Sequence, residues 1–426
     1  MRIAIIGGGL AGVGLANLLV RDSRLQVEVF ECKEFSERGT TVGLGRSALE
    51  ALDRILPKSM DTLVQNAGAI PTQSIGVRVG SGPYAGEFLF EIPNFKPRIS
   101  VPRAALLKEL LSQLPQDMLH ANMRLTRMDP DAIGATLTFD NGTMSHFDAV
   151  IGADGINSFV RGYVVSEQEH RSSPAGFWDH LAFVPVEHIR GKMEDELLKP
   201  GQQYAFAADG AQLLYALAAG GTMVQAIISS VDEQPPVDGS RMRVLSDAEK
   251  DRLRCKWDVG NALVEVRQPW GILPTRVTLT EMKAILSAPS VQVYALHEHS
   301  STASYFQNNI CLIGDAAHAS TPFQGAGAGQ ALEDCVILSS LLGEITDPRD
   351  ISRAFEVFEA VRMPRCKQVI KSSKEVGCIL CGQRSYDGLE EWRNALAHKW
   401  DFIHNFDLED QERRAVQDLK RLLSFS

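Results

Sequence analysis

Three short stretches carry residues whose types and spacing could do chemistry. Gly7, Gly9 and Gly12 form G-x-G-x-x-G directly after the apolar run RIAII, and Glu31 stands nineteen residues past the third glycine, at the end of the next apolar run. Glycines let backbone N–H groups approach a pyrophosphate at the positive end of a helix, and a carboxylate at that distance can grip ribose hydroxyls while repelling a 2′-phosphate. The expected nucleotide therefore lacks that phosphate, as in NAD or FAD. Its contacts would be Gly7, Gly9, Leu10, Ala11, Gly12, Glu31 and Cys32. The second stretch, DAVIGADGINSFVR, sets Asp154 and Gly155 at the end of a buried run, with Arg161 seven residues beyond Asp154. The third, GDAAHASTPFQGAGAGQALED, follows the apolar ICLI and places glycines at 314, 325, 327 and 329.

The elements that must position these stretches follow from periodicity. RIAIIG, VGLANLLVRD and LQVEVFE read as strand, helix, strand, a β-α-β unit with the glycines at its first turn. Apolar residues at three and four spacing predict a helix over Ala104–Leu114. The run from Arg124 to Asp154 reads as two or three strands, with Asn141-Gly142 as a hairpin turn. From Gly176 to Leu286 the pattern turns β-rich, as in QLLYALAAG and TMVQAIISS. NICLIGD then returns the chain to the first lobe. From about Ala331 onward the sequence is mostly helical, and DLEDQERRAVQDLKRLL reads as a solvated amphipathic helix.

A chain of 426 residues with 44% hydrophobic content can bury two or three cores. The net charge of −10, without a basic block, argues against nucleic acid and anionic membrane surfaces as partners. Met1 runs straight into a strand and no apolar run reaches membrane length, so a cytoplasmic location is expected. Seven cysteines scattered along the chain read as reduced thiols. Cys378 and Cys381 form C-x-x-C in a helical stretch with no second pair, so they read as two thiols on one helix face, and no metal is expected.

The three stretches, in this order, resemble the motifs of single-component (class A) FAD-dependent aromatic monooxygenases of the para-hydroxybenzoate hydroxylase class, most closely the salicylate hydroxylase-like branch. SVPRAALLKELL, GLGRSALEAL and the helix bearing Arg362, Pro364 and Arg365 extend the resemblance over nearly the whole chain. It implies an α/β fold: a three-layer Rossmann-type FAD-binding lobe (residues 1–75, 100–175 and 287–345), an inserted, mostly antiparallel β-sheet substrate lobe (76–99 and 176–286) and a helical C-terminus (346–426). It also implies that Asp315 binds the ribityl chain and that Gly43, Arg103, Asp154, Gly155, Arg161, Gly314, Gly325, Ala326 and Gly327 contact FAD. His318 is expected to brace the flavin loop. Two departures stand out: Thr41 replaces the second glycine of the branch's G-A-G-I, and Phe323 stands where relatives often carry histidine.

The implied reaction uses NADH or NADPH and O2 to form a C4a-hydroperoxyflavin that hydroxylates a small salicylate-like, phenolic or heteroaromatic ring. No second Rossmann fingerprint marks a nicotinamide site. A reduced flavin is anionic at N1 and C2=O, and the amides from Gln324 to Gly329, with the helix start behind them, can face that charge. The substrate would sit in a dry pocket lined by Phe206, Tyr215, Trp270, Ile272 and Phe323. His297, His299, Tyr215 and Pro322 are the catalytic candidates, the histidines because a base favours attack on a phenolate. Alternatives are epoxidation or oxidative rearrangement of a larger natural-product precursor, an oxidase or reductase of the same fold, and a flavin-binding regulator without turnover. A monomer or homodimer would serve any of them.

Overall fold

The run Arg2–Ile6 becomes the centre of a six-stranded sheet because its side chains are apolar on both sides, which only a strand covered on both faces can bury. The strand order is Phe306–Gln307, Ile310–Leu312, Ala149–Gly152, Arg2–Ile6, Gln26–Phe30, Leu119–His120. All neighbours are parallel except the first pair. The computed structural model describes residues 1–36, 41–92, 98–190, 198–231, 242–244, 248, 265–268, 271–274, 291–300 and 302–424.

Helices Leu10–Leu19 and Gly327–Gly343 pack together on one face of this sheet. A meander of Leu125–Pro130, Ala135–Phe139 and Met144–Phe147 covers the other, where Phe30 stacks on Phe139 at 4.5 Å and meets Phe147 edge-on at 5.7 Å. The result is three layers. The hairpin turns at Asn141-Gly142, with Gly142 at φ +83° as a tight turn demands.

The second lobe is an eight-stranded sheet in the order Met242–Val244, Gln292–Glu298, Ser173–Pro185, Met223–Ser230, Ala211–Ala218, Gln202–Ala208, Ser74–Val79, Phe88–Ile92. It is antiparallel apart from Gln202–Ala208 against Ser74–Val79. This corrects the expected lobe boundaries, since Gln292–Glu298 pairs with Ser173–Pro185 although the sequence division assigns 287–345 to the FAD lobe. Periodicity marks a strand but not the sheet it joins.

Alternate residues of this sheet face opposite ways. One face buries Trp178, Phe206, Leu213, Tyr215, Ala226 and Ile228 in a core of its own. The other carries Val77, Ala205, Leu214, Gln225 and Ile227, and it is the face that meets the first lobe. Helix Ile351–Leu380, with Pro364 inside it, joins the lobes. Its first half buries Ile351, Phe355 and Phe358 in the core of the first lobe, and its last turns pack Val376, Ile379 and Leu380 against the β lobe. The expected solvated tail is helix Leu408–Ser424, but Leu408, Ala415 and Leu419 dock it on the first core. A small sheet of Thr41–Leu44, Ile99–Pro102 and Ile70–Pro71 sits at the junction of the lobes. Among the described residues no helix is long and apolar enough to cross a membrane.

Candidate active site

The three motif loops meet at the carboxyl end of the parallel strands, where open α/β sheets bind ligands. Their glycines are required by close approach: a Cβ at Gly7 would lie 2.3 Å from the Ala153 carbonyl oxygen, and one at Gly12 would lie 2.0 Å from that of Gly7. Helix Leu10–Leu19 starts at Gly9 without a side-chain cap, leaving its first amides available to an anion. Glu31 accepts from the Gly8 amide at 2.8 Å and the Lys33 amide at 3.1 Å, so its carboxylate is held at the strand end. Exposed Cys32 donates to the same carboxylate at 3.3 Å, and burial together with that neighbour raises its thiol pKa. The Asp154 carboxyl caps its own turn through the Phe159 and Val160 amides at 2.7 and 3.2 Å, while its Oδ1 is buried without a hydrogen-bond partner. Asp315 is exposed although the residues on both sides are buried, and its carboxylate has no partner among the described residues. A glycine cradle, an uncapped helix start, an orphaned carboxyl oxygen and a free carboxylate fit a dinucleotide with a polyhydroxyl chain.

Other expected contacts act differently. Arg161 is fully buried and donates to the carbonyls of Ala316, Ala317 and Glu169 at 2.9, 3.2 and 3.0 Å and to the Thr302 hydroxyl at 2.9 Å. Its guanidinium is therefore consumed in bracing the loop behind Asp315 and does not face a groove. His318 does brace that loop, donating to Asp334 at 2.6 Å. Burial alone would lower its pKa, but Cys366 and Asp334 raise it well above the ordinary value, so it stays protonated.

Asp334 also accepts from the Gly314 amide at 2.9 Å and from Arg362 at 2.8 Å, and Glu333 accepts from Arg362, Arg365 and Ser47 at 2.9, 2.7 and 2.9 Å. This buried ion network fixes the flavin loop to helices Arg46–Ile55 and Ile351–Leu380, and sequence reading missed the acids. The available signal was Glu333-Asp334 in an otherwise apolar helical run. His318, Asp334 and Cys366 converge within 4.8 Å, yet the Arg362 guanidinium already supplies the cation there.

The catalytic candidates do not converge. His299 is 2% exposed, its amide donates to the Ala319 carbonyl, and burial, assisted by Arg161, pulls its pKa down to about 4. It is neutral at physiological pH and lies behind the loop. His297 is half-buried, with Nδ1 3.1 Å from the Ala295 carbonyl oxygen, and alternation points it away from the side that holds Glu298 and Lys374. Pro322 is exposed at the start of a short turn ahead of Gly325, whose φ is +62°.

The substrate candidates require correction. Tyr215 and Phe206, 1% and 4% exposed, stack at 6.2 Å within the core of the opposite sheet face. The first lobe touches the other face, where the Thr41 amide and hydroxyl donate to Gln225 at 2.9 and 3.2 Å. On that face Leu214, Ala216 and Ile227 remain partly open in mid-sheet, and Asp179 accepts from the Ser229 hydroxyl at 2.6 Å beside Gln212. Burial pushes the Asp179 carboxyl up to about 6. Phe323 packs edge-on to Phe177 at 4.8 Å, sealing the junction between the lobes and not forming an open wall. Trp270 lies outside the described residues, as does the side chain of Ile272. A small pocket of about 30 Å³ opens between Gly43, the start of helix Arg46–Ile55 and Gln324–Ala326.

Fold and site together define a flavin-dependent monooxygenase of the class A type, and residues 105–373 match the FAD binding domain family, to which the chain belongs. It is 30% identical to 6-methylsalicylate 1-monooxygenase of Aspergillus terreus, over 98% of this chain and 92% of that protein. It is also 30% identical to a salicylate hydroxylase of Pseudomonas putida, over 96% and 93% of the two chains. A solved structure described as a salicylate hydroxylase substrate complex superposes with a TM-score of 0.81 at 25% identity, covering 98% of each chain.

Proposed function

We propose that this chain is a single-component FAD-dependent monooxygenase that takes hydride from NADH or NADPH and uses O2 to hydroxylate a small aromatic ring of the salicylate type. The observation that carries the reading is the convergence of three nucleotide-type loops, with Asp315 exposed and unpaired among the described residues, opposite a sheet face still partly open at Leu214, Ala216 and Ile227. FAD, when bound, supplies hydride acceptance and oxygen activation; the protein supplies position, charge and exclusion of water. The start of helix Leu10–Leu19 would hold the pyrophosphate, Glu31 the adenosine ribose and Asp315 the ribityl hydroxyls. The apolar row Leu214, Ala216 and Ile227 would form the dry wall, and Asp179 would accept the proton or hydrogen bond of a ring hydroxyl. Similarity to the two curated salicylate-type enzymes supports the substrate class.

The test is oxidation of NADH and of NADPH by purified yellow protein with salicylate or 6-methylsalicylate under 18O2. Stimulated turnover with one labelled oxygen atom in the product is expected. Colourless protein, or turnover that forms only peroxide with every phenolic acid tried, would defeat the proposal.

A further inference from the structure

The long helix that joins the lobes ends on a pair of thiols, Cys378 and Cys381, both reduced. Its last turn closes as a Schellman motif: the Gln383 amide donates to the Cys378 carbonyl at 2.9 Å, the Gly382 amide donates to that of Ile379 at 3.3 Å, and Gly382 takes φ +64°. Positions three apart on a helix hold their Cα atoms about 5 Å from one another, within the roughly 4.4–6.8 Å that a disulfide spans. The two sulfurs differ in access. Cys378 is half-buried and Cys381 is fully buried, so an oxidant meets Cys378 first and Cys381 stands behind it as the resolving thiol.

The pair sits where the helix grips both the flavin loop and the β lobe. Gly377, one residue before Cys378, is the position where an added Cβ would lie 2.3 Å from the Phe323 ring. The Cys381 thiol donates to the Ser229 carbonyl at 3.6 Å, and the Ser229 hydroxyl donates to Asp179 at 2.6 Å. Arg384, Lys374, Glu375 and, from strand Gln292–Glu298, Glu298 are the charged groups around Cys378. Burial outweighs the cations and raises the Cys378 thiol pKa. The reduced pair therefore lacks the thiolate stabilisation that makes some C-x-x-C disulfides strong oxidants.

We infer that Cys378 and Cys381 are a reversible oxidation site, closed to a disulfide by hydrogen peroxide, and that closure loosens the flavin loop. The Cys378 thiolate displaces hydroxide from peroxide, giving a sulfenic acid and, with a proton, one water. The Cys381 sulfur then bonds to the Cys378 sulfur as the S–O bond breaks, and a second water leaves. Two thiols lose two electrons and two protons, and one peroxide is reduced to two waters. Cβ atoms three apart on a helix stand about 5–6 Å from one another, whereas a disulfide holds them at roughly 3.5–4.5 Å. Closure therefore tightens the last turn, shifts Gly377 against Phe323 and removes the Cys381 donor from Ser229.

Trypsin cleaves after Lys374 and Arg384, so both cysteines fall in one peptide, Glu375–Arg384. The experiment treats the folded protein with hydrogen peroxide, blocks remaining thiols with iodoacetamide and weighs that peptide. It should carry no alkyl group and be lighter by two hydrogen atoms, and dithiothreitol before blocking should return the doubly alkylated form. The rate should climb with pH, because the thiolate is the attacking form. Oxidised wild type should bind FAD roughly tenfold more weakly, the effect of one repacking fault, and melt at a lower temperature, both reversed by dithiothreitol. C381S should trap dimedone at Cys378, and C378S should keep its FAD affinity in peroxide. A peptide still doubly alkylated after peroxide, or one that only gains oxygen at Cys378, overturns the inference. So does a disulfide that leaves FAD affinity and melting unchanged, or an affinity loss that persists in C378S. The wild-type measurements decide the matter even if a variant fails to fold. Protein that takes up no FAD defeats the proposed function instead, and the peptide and the melting temperature still decide the thiol pair.

Discussion

Asp179 shows what one residue can report at this site. Its folded pKa of about 6 lies above the ordinary 3.8, so the fold favours the protonated form. The associated stability is complete below the ordinary value, falls as pH rises from 3.8 to about 6, and then levels off, a loss of about 3 kcal/mol. Asp179→Asn keeps an acceptor for Ser229 and removes the charge, so the melting temperature of the variant should climb relative to wild type across that window. Parallel melting curves from acid to neutral pH would show that the carboxyl is not held this way. Asp315→Ala should yield protein without FAD, because the ribityl hydroxyls lose a carboxylate acceptor that no other described residue engages; yellow colour retained through dialysis would contradict that assignment. The same strands explain why Tyr215 and Phe206 were chosen and Leu214 and Ile227 were not. Tyr215 and Phe206 lie on strands that reach the first lobe, but a period of two sends neighbours to opposite faces, and the Thr41–Gln225 contact marks the face that looks at the flavin loop.

At the scale of elements, the flavin loop is held by its helices. Helix Ile351–Leu380 passes the loop at Gly377, where an added Cβ would lie 2.3 Å from the Phe323 ring. Gly377→Ala should therefore destabilise the protein by about 1–3 kcal/mol, the usual range for overpacking, and loosen FAD as the loop shifts. Phe323→Leu in the same chain should restore part of both losses, a coupling that a double-mutant cycle in denaturant and FAD titration would measure. Additive effects would mean that the ring and the glycine do not share the strain. The glycine-rich turn, the hairpin at Asn141-Gly142 and the helical C-terminus were legible from local pattern. The Gly377–Phe323 fit was not, because it joins segments far apart in sequence. The buried pairing of Glu333 and Asp334 with Arg362 and Arg365 was hidden for the same reason.

For the whole molecule, the question is whether two lobes with separate cores behave as one unit. The first core includes Phe355 and Phe358 from the start of the long helix, and the interlobe core includes Val376, Ile379 and Leu380 from its end. A continuous helix of 30 residues with both halves buried cannot lose one half without exposing apolar surface of the other lobe. The chain enters the β lobe at Ser74–Val79 and again at Ser173–Pro185, and leaves it after Phe88–Ile92 and after Gln292–Glu298, which adds to the coupling. FAD binds only the folded loops, so by mass action it stabilises whatever unfolds with them, about 2.7 kcal/mol at a hundredfold excess over its dissociation constant. Calorimetry should then show one transition that moves upward as a whole when FAD is added to the apo protein. Two separate transitions, with only the first responding to FAD, would mean that the helix transmits no stability and that the β lobe folds independently of the cofactor.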